Sequence, residues 1–476
     1  MNPGMFIEAN RIGPEWIADY GNGHLEVRNP ANGELLGSVP LARAADVERC
    51  IAVAARAGER WRATPARARA RALRRWHDLI AARKEDLATI LTLEQGKPLS
   101  EARAEIDYAA SFVQWYAEEA ERIYGRIAPS IDGTSVFTVE KVPVGVVAAI
   151  TPWNAPCSMV TRKVAPAIAA GCSVVLKPAE ATPFSALALA ELAAQAGIAD
   201  GVLNVITGMP AEIGAVFTQS RAVRKISFTG STPVARRLFA HAADSMKRLS
   251  LEAGGNAPFI VLQDADLDVA IDAAMIAKFR SGGQSCVAAN RFFIHASVYE
   301  PFKTAFTRRV ASLTCGAGMD HADVGPVIDA NAARRIASLI DDATAQGATV
   351  LCGGYRAGTA FVNPAIVCDI SPKMKIYRDE IFGPVAGLCA FEDVDALVSS
   401  LNAEDVGLIA YIISQDSIAA RNIANRLDVG MVGINTGLAS DASMPFGGVK
   451  GSGIGREGSI EGIEAYLETK YIKATP

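Results

Sequence analysis

Apolar and polar positions change their rhythm near residue 141. Between 44 and 122 the apolar residues recur at helical spacing, and Ala, Arg and Glu fill the stretches 46–61, 66–83 and 99–121. Pro65 and Gly96-Lys97-Pro98 break that region. From Lys141 onward the apolar residues gather instead in short continuous runs. Residues 144–150 read as a buried strand and 173–176 as a second. A helix over 184–197, a strand over 202–206, a helix over 211–218, a strand over 225–228 and a helix over 232–243 follow. A second set runs strand 259–262, helix 266–280, strand 291–295 and helix 299–312. Short strands alternating with longer helices mean βαβ units and parallel sheets. The pattern predicts an α/β chain with two doubly wound parallel-sheet units in series, divided near 249–255. The tail 466–472 alternates like an edge strand with no evident partner within the chain, so it is expected to pair with another subunit.

Composition narrows the function classes. Half the residues are apolar, so a large core is available and wholesale disorder is excluded. The 47 Lys and Arg against 51 Asp and Glu leave a net charge of −4, which argues against a nucleic-acid partner. No apolar stretch reaches the roughly 18 residues of a membrane span; the longest, 164–176, ends at Lys177. Residues 1–11 lack a basic segment followed by an apolar one, so a cytoplasmic protein with no membrane partner is expected. The eight cysteines form no CxxC pair and the five histidines no HExxH, so free thiols and no metal site are expected. The Arg-rich stretch 67–75 reads as a solvated helix face rather than an anion site.

Four places combine residue types with chemical potential. Phe228-Thr-Gly-Ser231 ends a strand and opens a helix, so its N–H groups can meet a phosphate. Ordinary turn chemistry gives the same string, and the glycine-rich dinucleotide fingerprint is absent. Lys177-Pro-Ala-Glu180 follows a strand end, where ligands of doubly wound sheets bind, but equally suits a surface turn. Cys286, in Gly282-Gly-Gln-Ser-Cys286, lies on a glycine-flanked turn, although most lone cysteines are inert. Glu252, in Leu251-Glu-Ala-Gly-Gly-Asn256, is either a desolvated base or a capping acid.

Together these strings carry a resemblance. Thr151-Pro-Trp-Asn154, Lys177-Pro-Ala-Glu180, Phe228-Thr-Gly-Ser231, Glu252-Ala-Gly-Gly255, Gly283-Gln-Ser-Cys286, Glu380-Ile-Phe-Gly-Pro384 and Pro445-Phe-Gly-Gly448 occur in one order along nearly the whole chain. In this the chain resembles the aldehyde dehydrogenase superfamily. The resemblance implies Cys286 as nucleophile, Glu252 as the base for hydrolysis, and the Asn154 amide with the Cys286 N–H as oxyanion donors. It implies a nicotinamide cofactor held by Ile150, Thr151, Pro152, Trp153, Lys177, Glu180, Gly230, Ser231, Ala253, Glu380 and Phe382. Glu180 favours NAD, since a carboxylate accepts from a ribose 2′-OH and repels a 2′-phosphate; NADP is less favoured. The implied organisation is a Rossmann-like cofactor domain (1–122 and 142–250), a catalytic domain (251–440) and a small β arm (123–141 and 460–476) joining a homodimer or homotetramer.

Arg162, Arg280 and Ser440 resemble the carboxylate clamp of the succinate-semialdehyde dehydrogenase branch, as do Gly453-Ile-Gly-Arg-Glu-Gly-Ser459 and Tyr466-Leu-Glu. Two guanidiniums on one site call for an anion, so the expected substrate is a carboxylate-bearing aldehyde. Internal salt bridges are the bland reading. Ala155 stands where that branch has Phe, which widens the tunnel toward a longer, bulkier or aromatic aldehyde. Ala253 replaces Leu, Ser281 and Gly282 suggest a looser loop, Ala288 removes a redox partner of the nucleophile, and Cys157 is expected as a small tunnel-wall residue. An acylating, coenzyme A-dependent enzyme is disfavoured by Glu252, and a catalytically silent protein by retention of the whole set.

Overall fold

The computed structural model describes residues 6–475 and carries two parallel sheets. The first runs in the order Glu15–Ile17, Asn10–Ile12, Leu203–Val205, Ser173–Lys177, Val146–Ile150, Val223–Thr229, Arg248–Glu252 and Gly453–Ile454. Its five middle strands are parallel. Numbered along the chain they stand 3-2-1-4-5, a doubly wound order. The order reverses between Val146–Ile150 and Val223–Thr229. Loops leaving those strands therefore splay apart and open a crevice at their carboxyl ends. The flanking strands come from the two ends of the chain and are antiparallel to their neighbours. Two or three residues long, they leave no readable alternation.

The second sheet runs Thr349–Tyr355, Val362–Cys368, Val385–Phe391, Arg291–His295, Pro258–Val261, Ile409–Ile413 and Met431–Ile434. All pairs are parallel except the first. Ile409–Ile413 is buried throughout, as a strand covered on both faces must be. The loops that enter this sheet, carrying Gly254, Cys286 and Phe382, line the same cavity as the loops that leave the first.

Four helices, Ala44–Arg62, Ala66–Ala82, Lys84–Gln95 and Leu99–Glu119, occupy the Ala- and Arg-rich region. The second turns Ala70, Leu73, Trp76 and Ile80 into the core. Its arginines are not simply solvated, contrary to expectation. Arg69 is buried and donates to the carbonyl of Ala169 at 3.0 Å; Arg75 donates to that of Ala196 at 2.7 Å. Both carbonyls end helices, where backbone acceptors lack intrahelical partners.

The tail also departs from expectation. Leu467–Ala474 pairs antiparallel with Val136–Pro143 over eight residues, and Arg126–Pro129 completes a three-stranded sheet. The partner lies more than 300 residues away in sequence, so local alternation gave no sign of it. Ile127 and Tyr471 remain exposed on this arm.

Candidate active site

Two cavities meet at one thiol. The larger, about 340 Å³, is lined by Pro152, Trp153, Thr229, Gly230, Ser231, Ala253, Gly254, Arg335, Glu380 and Phe382 among others. The smaller, about 140 Å³, is lined by Glu101, Tyr108, Ala155, Arg162, Arg280, Ser440 and Phe446 among others. Asn154, Met159 and Cys286 line both. The structure thus gathers Cys286, Asn154, seven of the eleven expected cofactor positions and all three expected tail-binding residues around two connected spaces.

The larger cavity follows from the strand order. Strand Val146–Ile150 delivers 151–154 to the crevice, and Val223–Thr229 delivers Gly230 and Ser231. Ser231 precedes the helix Thr232–Ala242 without a side-chain capping bond, so the positive helix end lies at the cavity with its first N–H free. A Cβ on Gly230 would lie 2.5 Å from the Phe228 ring, which reserves that place for glycine. Trp153 and Phe382 pack edge to face at 5.4 Å as one wall. Glu380 enters across Gly254, where a Cβ would come within 2.6 Å of its Oε2. Its buried Oε1 has no partner among the described residues, and burial raises its carboxyl to about 7. Arg335 holds the Glu380 and Ile381 carbonyls at 3.0 and 2.5 Å. Phosphate-facing amides, an aromatic wall and an orphan acceptor fit a dinucleotide with its ribose hydroxyls.

Ile150, Thr151, Lys177 and Glu180 do not line that cavity. Lys177 lies opposite Ile150 in the sheet, its carbonyl accepts from the Thr151 N–H at 3.1 Å, and its ammonium pairs with Glu180.

Cys286 follows a turn in which Ser281, Gly282 and Gly283 all have positive φ. The loop is held rather than loose: the Ser281 N–H donates to Glu101 at 2.8 Å. Burial, and then the Glu380 carboxylate, push the Cys286 thiol up to about 12, with Arg162 acting in the other direction. Asn154 donates its side-chain amide to the Gln284 carbonyl at 2.9 Å, and its own carbonyl accepts from Lys97 at 3.0 Å. Lys97 is paired with Glu105, which also accepts the N–H groups of Cys157 and Ser158 at 3.0 and 3.3 Å. This buried pair fixes the Asn154 segment. Cys157 points away from the tunnel: it is fully buried in the core and lines neither cavity, contrary to expectation.

Glu252 ends its strand fully buried, and neither carboxylate oxygen has a hydrogen-bond partner among the described residues. Burial raises its carboxyl well above the usual range, and the Glu457 carboxylate raises it further; Arg162 and Lys163 partly offset this. Arg162 pairs with Glu457 at 3.0 Å and stacks over Phe446 and Phe112 at 4.1 and 5.0 Å. Lys163 pairs with the same carboxylate. Arg280 forms no ion pair among the described residues. The bland reading of the arginines therefore describes part of Arg162 and none of Arg280.

The residue types and their placement match a known family. The model of the aldehyde dehydrogenase family matches residues 16–472. The chain belongs to the aldehyde dehydrogenase family. It is 48% identical over 472 residues to the glutarate-semialdehyde dehydrogenase of Pseudomonas aeruginosa, covering 98% of each protein. Identity and coverage are the same for the NADP(+) succinate-semialdehyde dehydrogenase GabD of Escherichia coli. The crystal structure of succinate-semialdehyde dehydrogenase from Burkholderia pseudomallei superposes with a TM-score of 0.98 at 48% identity, over 100% of this chain and 99% of that one. The aldehyde dehydrogenase fold expected from the motifs is thus shown, and the protein is an oxidoreductase of a family that uses NAD or NADP. No helix among the described residues is long and apolar enough to cross a membrane.

Glu457, Lys163, Met159, Arg335, Lys97, Glu105 and Tyr108 went unassigned in the sequence. One signal was present: Arg162 and Lys163 are adjacent in a helix that is otherwise uncharged and wholly buried. Two buried cations require an anion, and Glu457 supplies it.

Proposed function

We propose that this aldehyde dehydrogenase is hydrolytic and NAD-dependent, and that its substrate is an aldehyde with a carboxylate tail, succinate semialdehyde or a close analogue. The observation that carries this is the position of Cys286 between a dinucleotide-shaped space and a cavity holding an unpaired Arg280.

The Cys286 thiolate adds to the aldehyde carbon, and the oxygen becomes an oxyanion. The Asn154 amide and the Cys286 N–H stabilise that charge. Pro152, Trp153, Gly230, Ser231, Ala253, Glu380 and Phe382 would hold the nicotinamide cofactor, which supplies the hydride acceptor that converts the Cys286 adduct to a thioester. Glu252 then takes a proton from water, whose oxygen attacks the thioester carbon and displaces Cys286. A carboxyl raised by burial is a strong base once deprotonated, which suits that step. In the smaller cavity Arg280, Arg162 and Ser440 hold the carboxylate and turn the aldehyde toward Cys286. Glu180, paired with Lys177 at a strand end, supports NAD over NADP through its charge near the adenosine ribose. Residues 1–122 and 142–250 serve the cofactor, 251–440 the chemistry, and 123–141 with 460–476 the contact between copies in a homodimer or homotetramer; the exposed Ile127 and Tyr471 support that contact.

The test is initial-rate NADH formation with succinate and glutarate semialdehydes against uncharged aldehydes of equal length and an aromatic aldehyde. A preference of about 100-fold in kcat/KM for the charged set is expected, the size of a charge-assisted pair. Preference for uncharged or aromatic aldehydes would make the arginines structural and Ala155 the determinant of specificity.

A further inference from the structure

The smaller cavity contains a donor that the sequence motifs do not mark. Tyr108 lies on helix Leu99–Glu119, in the cavity wall, and its ring is fixed edge-on against Phe112 at 4.9 Å. Its hydroxyl is buried, faces Arg162 and Arg280, and has the Ser440 hydroxyl as a hydrogen-bonding neighbour, although no partner among the described residues meets it in full hydrogen-bond geometry. Arg162 Nη2 is in the same condition, and so is Nε, which lies 3.0 Å from Glu457 as an ion pair without hydrogen-bond geometry. Unpaired buried donors are unfavourable until an acceptor arrives. Both residues share that cavity with Arg280, an exposed guanidinium that forms no ion pair among the described residues. The acceptor that satisfies all of them is an oxyanion.

We propose that Tyr108 donates its phenolic proton to the anionic tail of the substrate, so that the tail is held by four side chains, Tyr108, Arg162, Arg280 and Ser440. This rests on the semialdehyde reading above. Burial raises the Tyr108 phenol and keeps it protonated, so it acts as a donor throughout the working pH range. A phenol adds direction where guanidiniums add charge: one more O–H fixes the rotation of a carboxylate already attracted by the arginines. Glu101, on the same wall, accepts the Ser281 N–H through Oε2.

Tyr108→Phe removes the hydroxyl and keeps the ring. The ratio of kcat/KM for succinate semialdehyde to that for butanal should fall about tenfold, chiefly through KM for the charged substrate, as for loss of one hydrogen bond to a charged acceptor. Calorimetric titration of succinate should show about tenfold weaker binding to the variant, while its melting temperature is equal to or above wild type because an unpaired hydroxyl has gone. Equal losses on both aldehydes, or unchanged succinate binding, would overturn the role of Tyr108. If the unaltered enzyme shows no preference for charged aldehydes, the semialdehyde reading fails first; the succinate titration then judges Tyr108 by itself.

Discussion

The two cavities that share Cys286 are built by different means. The larger is made mostly of backbone and short loops at the ends of parallel strands. Its glycines, helix N-terminus and aromatic wall occur as contiguous strings: Phe228-Thr-Gly-Ser231 leaves the first sheet beside the reversal of strand order, and Glu380-Ile-Phe lies on a loop entering the second. The smaller is made of long side chains from separate helices and loops, held by buried ion pairs. A space built from strand ends accepts a common cofactor. A space built from side chains is open to alteration one residue at a time. Substrate specificity therefore resides where local strings are least informative.

The largest expected effect strikes both cavities at once. Cys286→Ala should abolish NADH formation by a factor of about 10⁴ or more, because no other group is placed to add to the aldehyde. In the unaltered enzyme the rate of Cys286 alkylation should rise steadily from pH 7 to pH 9, since the thiol is pushed up to about 12 and only the thiolate reacts. Full alkylation at pH 7 with no dependence on pH would contradict that burial.

The next effect separates chemistry from hydrolysis. Glu252→Gln should lower steady-state turnover by about 10²–10⁴-fold, yet leave a rapid first burst of NADH, about one per Cys286. The same variant should be more stable to heat, increasingly so at higher pH. The raised carboxyl of Glu252 means that the folded enzyme binds a proton that the unfolded chain releases, so the original loses stability as pH rises above its unfolded value of about 4.3, while Gln does not. Rapid mixing and melting curves at pH 6 and pH 8.5 check both. A smaller effect concerns the cofactor alone: Glu180→Gln should shift the ratio of kcat/KM for NAD over NADP by about tenfold toward NADP, with aldehyde preference unaltered.

Legibility in the sequence followed the same division. Strands 291–295 and 173–176, the helix over 232–243 and the strand-end loops were readable because their signals are local. Cys286 and Asn154, which line both cavities, and Glu252, which lines neither, each lie in a distinctive string. The pairing of the tail with Val136–Pro143 was not readable, nor were Glu457 as partner of Arg162, Lys97 with Glu105, and Tyr108. Each of these depends on residues brought together from far along the chain, and a lone Tyr or Glu on a helix reads as core or solvated face until its neighbour is known. The misplacement of Cys157 has the same origin: it sits one turn from tunnel residues but faces the core.

The division of labour between the cavities is tested most directly by Arg280→Met, assayed with succinate semialdehyde and with butanal. The kcat/KM for the semialdehyde should fall about 100-fold, the loss for butanal should be far smaller, and KM for NAD should stay within about twofold. Equal losses on the two aldehydes, or a rise in KM for NAD matching that for the semialdehyde, would show that Arg280 does not read the substrate tail and that the two spaces do not act separately.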